Sequence, residues 1–179
     1  MTHVASVYAR ALYDLAKEED LCDAMLGQLE TLKDAFLENP AFVKLLSTPN
    51  LTKEERCRIV DDCFADMAQL YVLNFIKLLT EKGYIRHFAD CCRAFHDIYN
   101  DDKGIMPVNV VSAVPLTPAQ SDRLAAKLAG ITGKTIELSC VVDPACIGGL
   151  RLDYDGKRVD DTVRHRLDAV HSLLKNTVL

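Results

Sequence analysis

The apolar period of the chain changes at Asp101-Asp102-Lys103-Gly104, and that change constrains the fold more than any other feature. Upstream, hydrophobic residues recur every three or four positions; downstream they alternate or gather as β-branched residues. The first spacing makes a stripe on a helix and the second makes a face of a strand, so one architecture cannot serve both. The polar tetrapeptide is therefore the expected boundary between a helical part and a mixed part. A length of 179 residues allows two small domains, each with a modest core.

The helical part reads as six consecutive helices with short connections, which predicts an antiparallel bundle over residues 1–104. In the first, Val4, Val7, Tyr8, Ala11, Leu12 and Leu15 form one stripe. The second covers about residues 21–37, with Cys22, Met25, Leu26, Leu29, Leu32 and Phe36 inward, and Asn39-Pro40 stops it. A short helix over 41–46 follows. Thr52 with Glu55 three residues on is a capping box, opening a helix whose inner face is Ile59, Val60, Cys63 and Phe64. Residues 70–79 are apolar on nearly all sides, as a central helix would be, and Gly83 supplies a left-handed cap. The last helix spans 84–100, with Ile85, Phe88, Cys92, Phe95 and Tyr99 on one side.

The mixed part, residues 105–179, reads β-α-β-β-β-α, a small α+β module. Met106–Val114 has the valine density of a strand, and Thr117-Pro118 with Gln120 opens a helix that Gly130 ends. Thr135–Val142 alternates as a second strand. Asp155-Gly156 marks a hairpin over 149–159, and Thr162 caps a final helix with Val163, Leu167, Val170 and Leu174 inward. The predicted fold class is mainly α.

Charge narrows the function. Residues 1–105 hold 12 Lys+Arg against 18 Asp+Glu, and residues 106–179 hold 9 against 8, so neither part offers the basic face that nucleic acid requires. The longest apolar run, Ala68–Leu79, is broken by Gln69, Asn74 and Lys77, far short of the ~20 residues of a spanning helix. The first twenty residues carry Asp14, Glu18, Glu19 and Asp20, which fits neither a secretory signal nor a transit segment, so the chain is expected to stay where it is made. The seven cysteines include no CxxC pair and sit mostly in apolar helical patterns, as buried thiols in a reducing compartment would.

Apparent chemical motifs dissolve on inspection. Gly130 to Thr135 ends in Gly-Lys-Thr, yet the phosphate-loop glycine is absent where Leu128 stands, and helix and strand come in the wrong order. Cys92 and His96 stand four apart on a helix and could form a thiolate–imidazole pair, which with Cys91 is the basis of a thiol-enzyme reading. A core cysteine beside a solvent-edge histidine is the simpler account. Cys57 and Cys63 are six apart, about 600° of helix, and His165 and His171 likewise, so neither pair shares a metal-binding face. Asp153, Asp155, Asp160 and Asp161 suit turn and cap chemistry. No catalytic residue, cofactor site or metal site is expected.

Four segments then carry a resemblance: YARALYDLAKEED at 8–20, LNFIKLLTEKGYIRHF at 73–88, VVSAVPLT at 110–117 and DPACIGGLRLDYDGKRVDDTVRHRL at 143–167. In this order and spacing the chain resembles, over essentially its whole length, the delta subunit of the F-type ATP synthase, a relative of the mitochondrial oligomycin-sensitivity-conferring protein. The resemblance implies a non-catalytic stator subunit, peripheral on the cytoplasmic face of a bacterial membrane and reaching the membrane only through the complex. It links the catalytic head to the peripheral stalk so that the head does not turn with the rotor. It further implies that the bundle receives the N-terminal helix of an alpha subunit between its first and fifth helices, at Tyr8, Ala11, Leu12, Leu15, Asn74, Phe75, Leu78 and Leu79. The second domain would meet b-type stalk subunits, with Gly148, Gly149, Arg164, Lys175, Val178 and Leu179 as contacts. One departure is Asp161, where the family usually has glycine ahead of the last helix; a left-handed aspartate there is the expectation. The alternative reading is a free-standing helical adaptor that binds an amphipathic helix.

Overall fold

The structure, a computed structural model, describes residues 3–48, 51–65 and 68–169. It is a helix-rich chain with a four-stranded sheet, dividing into two compact units, Met1–Tyr99 and Asn100–Leu179.

The first unit holds α1 (His3–Glu18), α2 (Cys22–Glu38), α3 (Pro40–Leu46), α4 (Lys53–Phe64), α5 (Leu70–Glu81), a 3-10 turn at Ile85–His87 and most of α6 (Phe88–Lys103). One cluster of buried side chains joins them, from Ala5 and Met25 through Val60 and Ile76 to Phe95. Aromatic rings mark its middle: Phe36 lies 4.8 Å from Phe88 and 5.7 Å from Phe42 and Phe64, centroid to centroid. Such pairs add to the burial of their area.

Local chemistry sets the helix ends. The Thr52 amide donates to Glu55 Oε2 at 2.8 Å, and the Glu55 amide donates to Thr52 Oγ1 at 3.2 Å, so two otherwise orphan donors are satisfied together. Gly83 takes φ 75°, and the next amide, that of Tyr84, donates to the Leu79 carbonyl at 2.7 Å, closing α5. Pro40 occupies the first turn of α3, where its missing N–H costs nothing.

In the second unit the strands β1 (Ile105–Ser112), β2 (Thr135–Val142), β3 (Leu150–Tyr154) and β4 (Lys157–Asp160) are ordered β2-β1-β3-β4. β1 pairs parallel with β2, from Ile105 on Thr135 to Ser112 on Val142, after a crossover through α7 (Pro118–Thr132). On its other side it pairs antiparallel with β3, and the β3–β4 hairpin turns at Asp155 (φ 47°) and Gly156 (φ 68°), both left-handed as a two-residue turn of this kind demands. Residues 163–169 are helical, with Thr162 Oγ1 accepting from the His165 amide at 3.2 Å.

Several expectations are corrected. Residues 101–103 are not a turn but the end of α6; only Gly104, at φ 64°, breaks the helix. α7 runs through Gly130 to Thr132, and Gly133, at φ 68°, is its left-handed cap. β1 stops at Ser112, leaving Val114 exposed. Val163 and Leu167 do not face inward: they are 38% and 56% exposed. Val170 and Leu174 lie outside the described residues. Asp161 keeps a negative φ, and the positive-φ residue packed against it is Gly149 instead.

Candidate functional site

α1 carries two apolar faces. Ala5, Ala9, Leu12, Tyr13 and Ala16 are buried, so the face turned to the core is mostly small residues that let neighbouring helices come close. Most of the apolar stripe read from the sequence lies on the other face: Val4, Tyr8 and Leu15 are half-buried, Ala11 is exposed and Val7 is 55% exposed. α5 is likewise two-sided, with Val72, Leu73, Ile76, Leu79 and Thr80 buried while Asn74 and Leu78 face out.

These outward faces meet. Tyr8, Ala11, Leu12 and Leu15 of α1 and Tyr71, Asn74, Phe75 and Leu78 of α5 line one open, predominantly apolar groove of about 250 Å³. Seven of the eight residues expected there are in it. The eighth, Leu79, is fully buried in the core, because it stands about 100° from Leu78 around the helix. Tyr71 is the member that sequence reading missed, although it begins the spacing i, i+3, i+4, i+7 that Asn74, Phe75 and Leu78 complete.

Two tyrosines close the groove. Near one end the Tyr8 ring packs on Tyr84, 6.1 Å between centroids. At the other, the Glu19 carboxylate stands near Tyr71; its negative charge, then partial burial, holds the phenol above its usual value of 10.0. The Asn74 amide makes no hydrogen bond among the described residues and stands between the apolar walls. The arrangement is one that an amphipathic helix can fill: apolar anchors at helical spacing, with few polar groups to orient it.

The second unit has a hollow of about 370 Å³ lined by Val114, Leu124, Ile147, Gly148, Gly149 and Leu150, so it contains the two glycines expected at an interface. Gly149, at φ 82°, passes so close to the Asp161 carbonyl that a Cβ there would collide with it. Arg164 is exposed, with its Nε 3.9 Å from Asp168 Oδ2. Lys175, Val178 and Leu179 lie outside the described residues.

Chemistry on the thiols is opposed by their setting. Burial raises Cys91 to about 11, with Asp90 adding to the shift, and pushes Cys92 higher still, the reverse of what an activated thiolate needs. His96 Nε2 stands 3.8 Å from Glu30 Oε1. Among the described residues no three of His, Cys, Asp and Glu gather as metal ligands.

The family model for the ATP synthase delta (OSCP) subunit matches residues 4–174. The chain belongs to that family. Curated relatives agree: ATP synthase subunit delta of Lacticaseibacillus casei is 31% identical over 172 residues, covering 96% of this chain and 94% of the relative. That of Roseobacter denitrificans is also 31% identical, over 175 residues, covering 97% and 94%. A chain in the structure of the Toxoplasma gondii mitochondrial ATP synthase hexamer superposes with a TM-score of 0.73, covering 97% of this chain and 98% of that one; at 19% identity it speaks for the fold alone. As a member of the family, the chain is a peripheral-stalk component of the F-type ATP synthase, and the free-standing adaptor is not favoured. No helix among the described residues is long and apolar enough to cross a membrane.

Proposed function

We propose that the chain is a connector without chemistry of its own: residues 1–104, working as an antiparallel six-helix bundle, hold the N-terminal helix of an alpha subunit in the α1/α5 groove. Residues 105–179 grip the b-type stalk subunits. The catalytic head is thereby kept from turning with the rotor, on the cytoplasmic face of a bacterial membrane that the chain meets only through the complex. The observation that carries this reading is the groove itself, where Tyr8, Ala11 and Leu15 face Tyr71, Asn74 and Leu78 with apolar side chains left uncovered. Burying such a stripe under an amphipathic helix contributes roughly 25 cal/mol for each Å² of apolar surface removed from water. The hollow around Gly148 and Gly149, bordered by exposed Val114 and Ile147, supports a second interface in the other unit. Bacterial relatives that match over nearly their full length support the cellular setting.

The test is a titration of the full chain with a peptide of the alpha-subunit N-terminus, read by calorimetry. Saturable one-to-one binding that Ala11→Glu weakens supports the groove; binding that Ala11→Glu leaves unchanged moves the contact elsewhere. A pull-down with the soluble part of the b-type subunit tests the second unit, and no capture would sink that assignment.

A further inference from the structure

The α1/α5 groove has a charge at each end, and the two charges are opposite. Extending the groove line of α1 one turn past Leu15 reaches Glu19, whose charge acts on the Tyr71 phenol. Extending the line of α5 one turn past Leu78 reaches Lys82, the exposed residue that closes that helix. Glu19 meets the first turn of α5, while Tyr8, near the start of α1, packs on Tyr84 just beyond the end of α5. The two helices therefore run antiparallel, and the groove lies between an anion and a cation. The cations of α1 do not blur this, because Arg10 and Lys17 stand about 180–200° around the helix from Tyr8, whereas Glu18 falls at the groove's rim.

We infer that this groove reads the direction of the helix it holds, taking that helix's N-terminus at Glu19 and Tyr71 and its C-terminus at Lys82. An α-helix carries about half a positive charge at its N-terminus and half a negative charge at its C-terminus. Lying parallel to α5, an occupant meets an opposite charge at both ends; reversed, it meets a like charge at both. The occupant is thus an amphipathic helix with its apolar stripe inward and its direction set by Glu19 and Lys82. The inference rests on the helix-docking reading above and adds a polarity to it.

Photocrosslinking tests it with the unaltered full chain and an alpha-subunit N-terminal peptide carrying a benzophenone at one end or the other. The N-terminal probe is expected to label the segment around Leu15, Glu19 and Tyr71, and the C-terminal probe the segment from Leu78 to Tyr84. The exchanged pattern overturns the direction while leaving docking intact; a peptide that neither labels nor binds overturns docking and the direction with it. Swapping the charges, Glu19→Lys with Lys82→Glu, is expected to weaken binding about 3- to 10-fold at low salt, a gap that closes at high salt. Undiminished affinity in the swapped chain, with its helical circular dichroism preserved, counts against the inference. The crosslinking result stands on its own whatever the swap does to folding.

Discussion

Gly149 lies directly under the carbonyl oxygen of Asp161, so closely that no side chain fits between them. The Asp161 amide donates to the Leu150 carbonyl at 3.0 Å and the Val163 amide to the Gly148 carbonyl at 2.9 Å, so the glycine pair and the approach to the last helix are laced together by backbone alone. Gly149→Ala adds both a collision and a strained left-handed φ. It is expected to cost about 1–3 kcal/mol, read as a lower urea midpoint. Gly83→Ala, also left-handed but with open space where the Cβ would go, should cost less. Equal losses at the two sites would contradict the role given to Asp161.

Leu78 and Leu79 are adjacent in sequence but serve different purposes. Leu79→Ala empties a fully buried position and is expected to cost about 2–5 kcal/mol of stability. Leu78, 39% exposed on the groove wall, should cost less when cut to alanine but weaken alpha-peptide binding about tenfold. Thermal denaturation and calorimetry on the two variants separate the outcomes, and a stability loss at Leu78 as large as at Leu79 would refute the division.

The α4 capping box makes a pH prediction. Hydrogen bonds from the Thr52 amide and hydroxyl hold the Glu55 carboxyl below its usual value of 4.5. A depressed folded value means that the contribution is fully present above 4.5 and is lost as the pH falls through the folded value. The stability difference between the natural chain and Glu55→Gln should therefore narrow on acidification below that point. Thr52→Ala should cost about 1 kcal/mol at neutral pH. A difference that widens in acid would reverse the assigned sign.

Thiol labelling should divide the cysteines. Cys63 and Cys140 are exposed and should react with iodoacetamide at mildly alkaline pH, whereas Cys91 and Cys92, buried and raised, should react only after denaturation. Rapid native labelling of Cys92, located by mass spectrometry, would revive the thiol-enzyme reading.

The period change near Gly104, the caps at Thr52 and Gly83 and the hairpin at Asp155-Gly156 were legible because each rests on chemistry local to a few residues. α1 was harder for a physical reason. Its core face is built largely from Ala5, Ala9 and Ala16, which contribute little to an apolar period, while Tyr8, Ala11 and Leu15 of the stronger stripe line the groove. The strongest period on α1 thus marks the groove wall more than the core. Leu79 was misplaced because an apolar residue beside a groove can belong to either side of its wall. Val163 and Leu167 show the same limit: helical spacing identifies a stripe and says nothing about what covers it. The collision that protects Gly149 involves Asp161, twelve residues away, and no local pattern encodes it.

The place of β1 in its sheet has a mechanical consequence. α6 ends at Lys103 and the chain passes through Gly104 straight into β1, one of the two inner strands, paired with β2 and β3. Tension arriving along the backbone therefore enters the second unit through its middle. It pulls lengthwise on hydrogen bonds spaced along all eight residues of the β2 pairing and on the β3 ladder at the same time. Bonds pulled along a strand must slide together, whereas a hairpin pulled from its open end gives way one rung at a time. The β3–β4 hairpin pairing is of that second kind, and it stands one strand removed from β1, with β4 at the edge of the sheet.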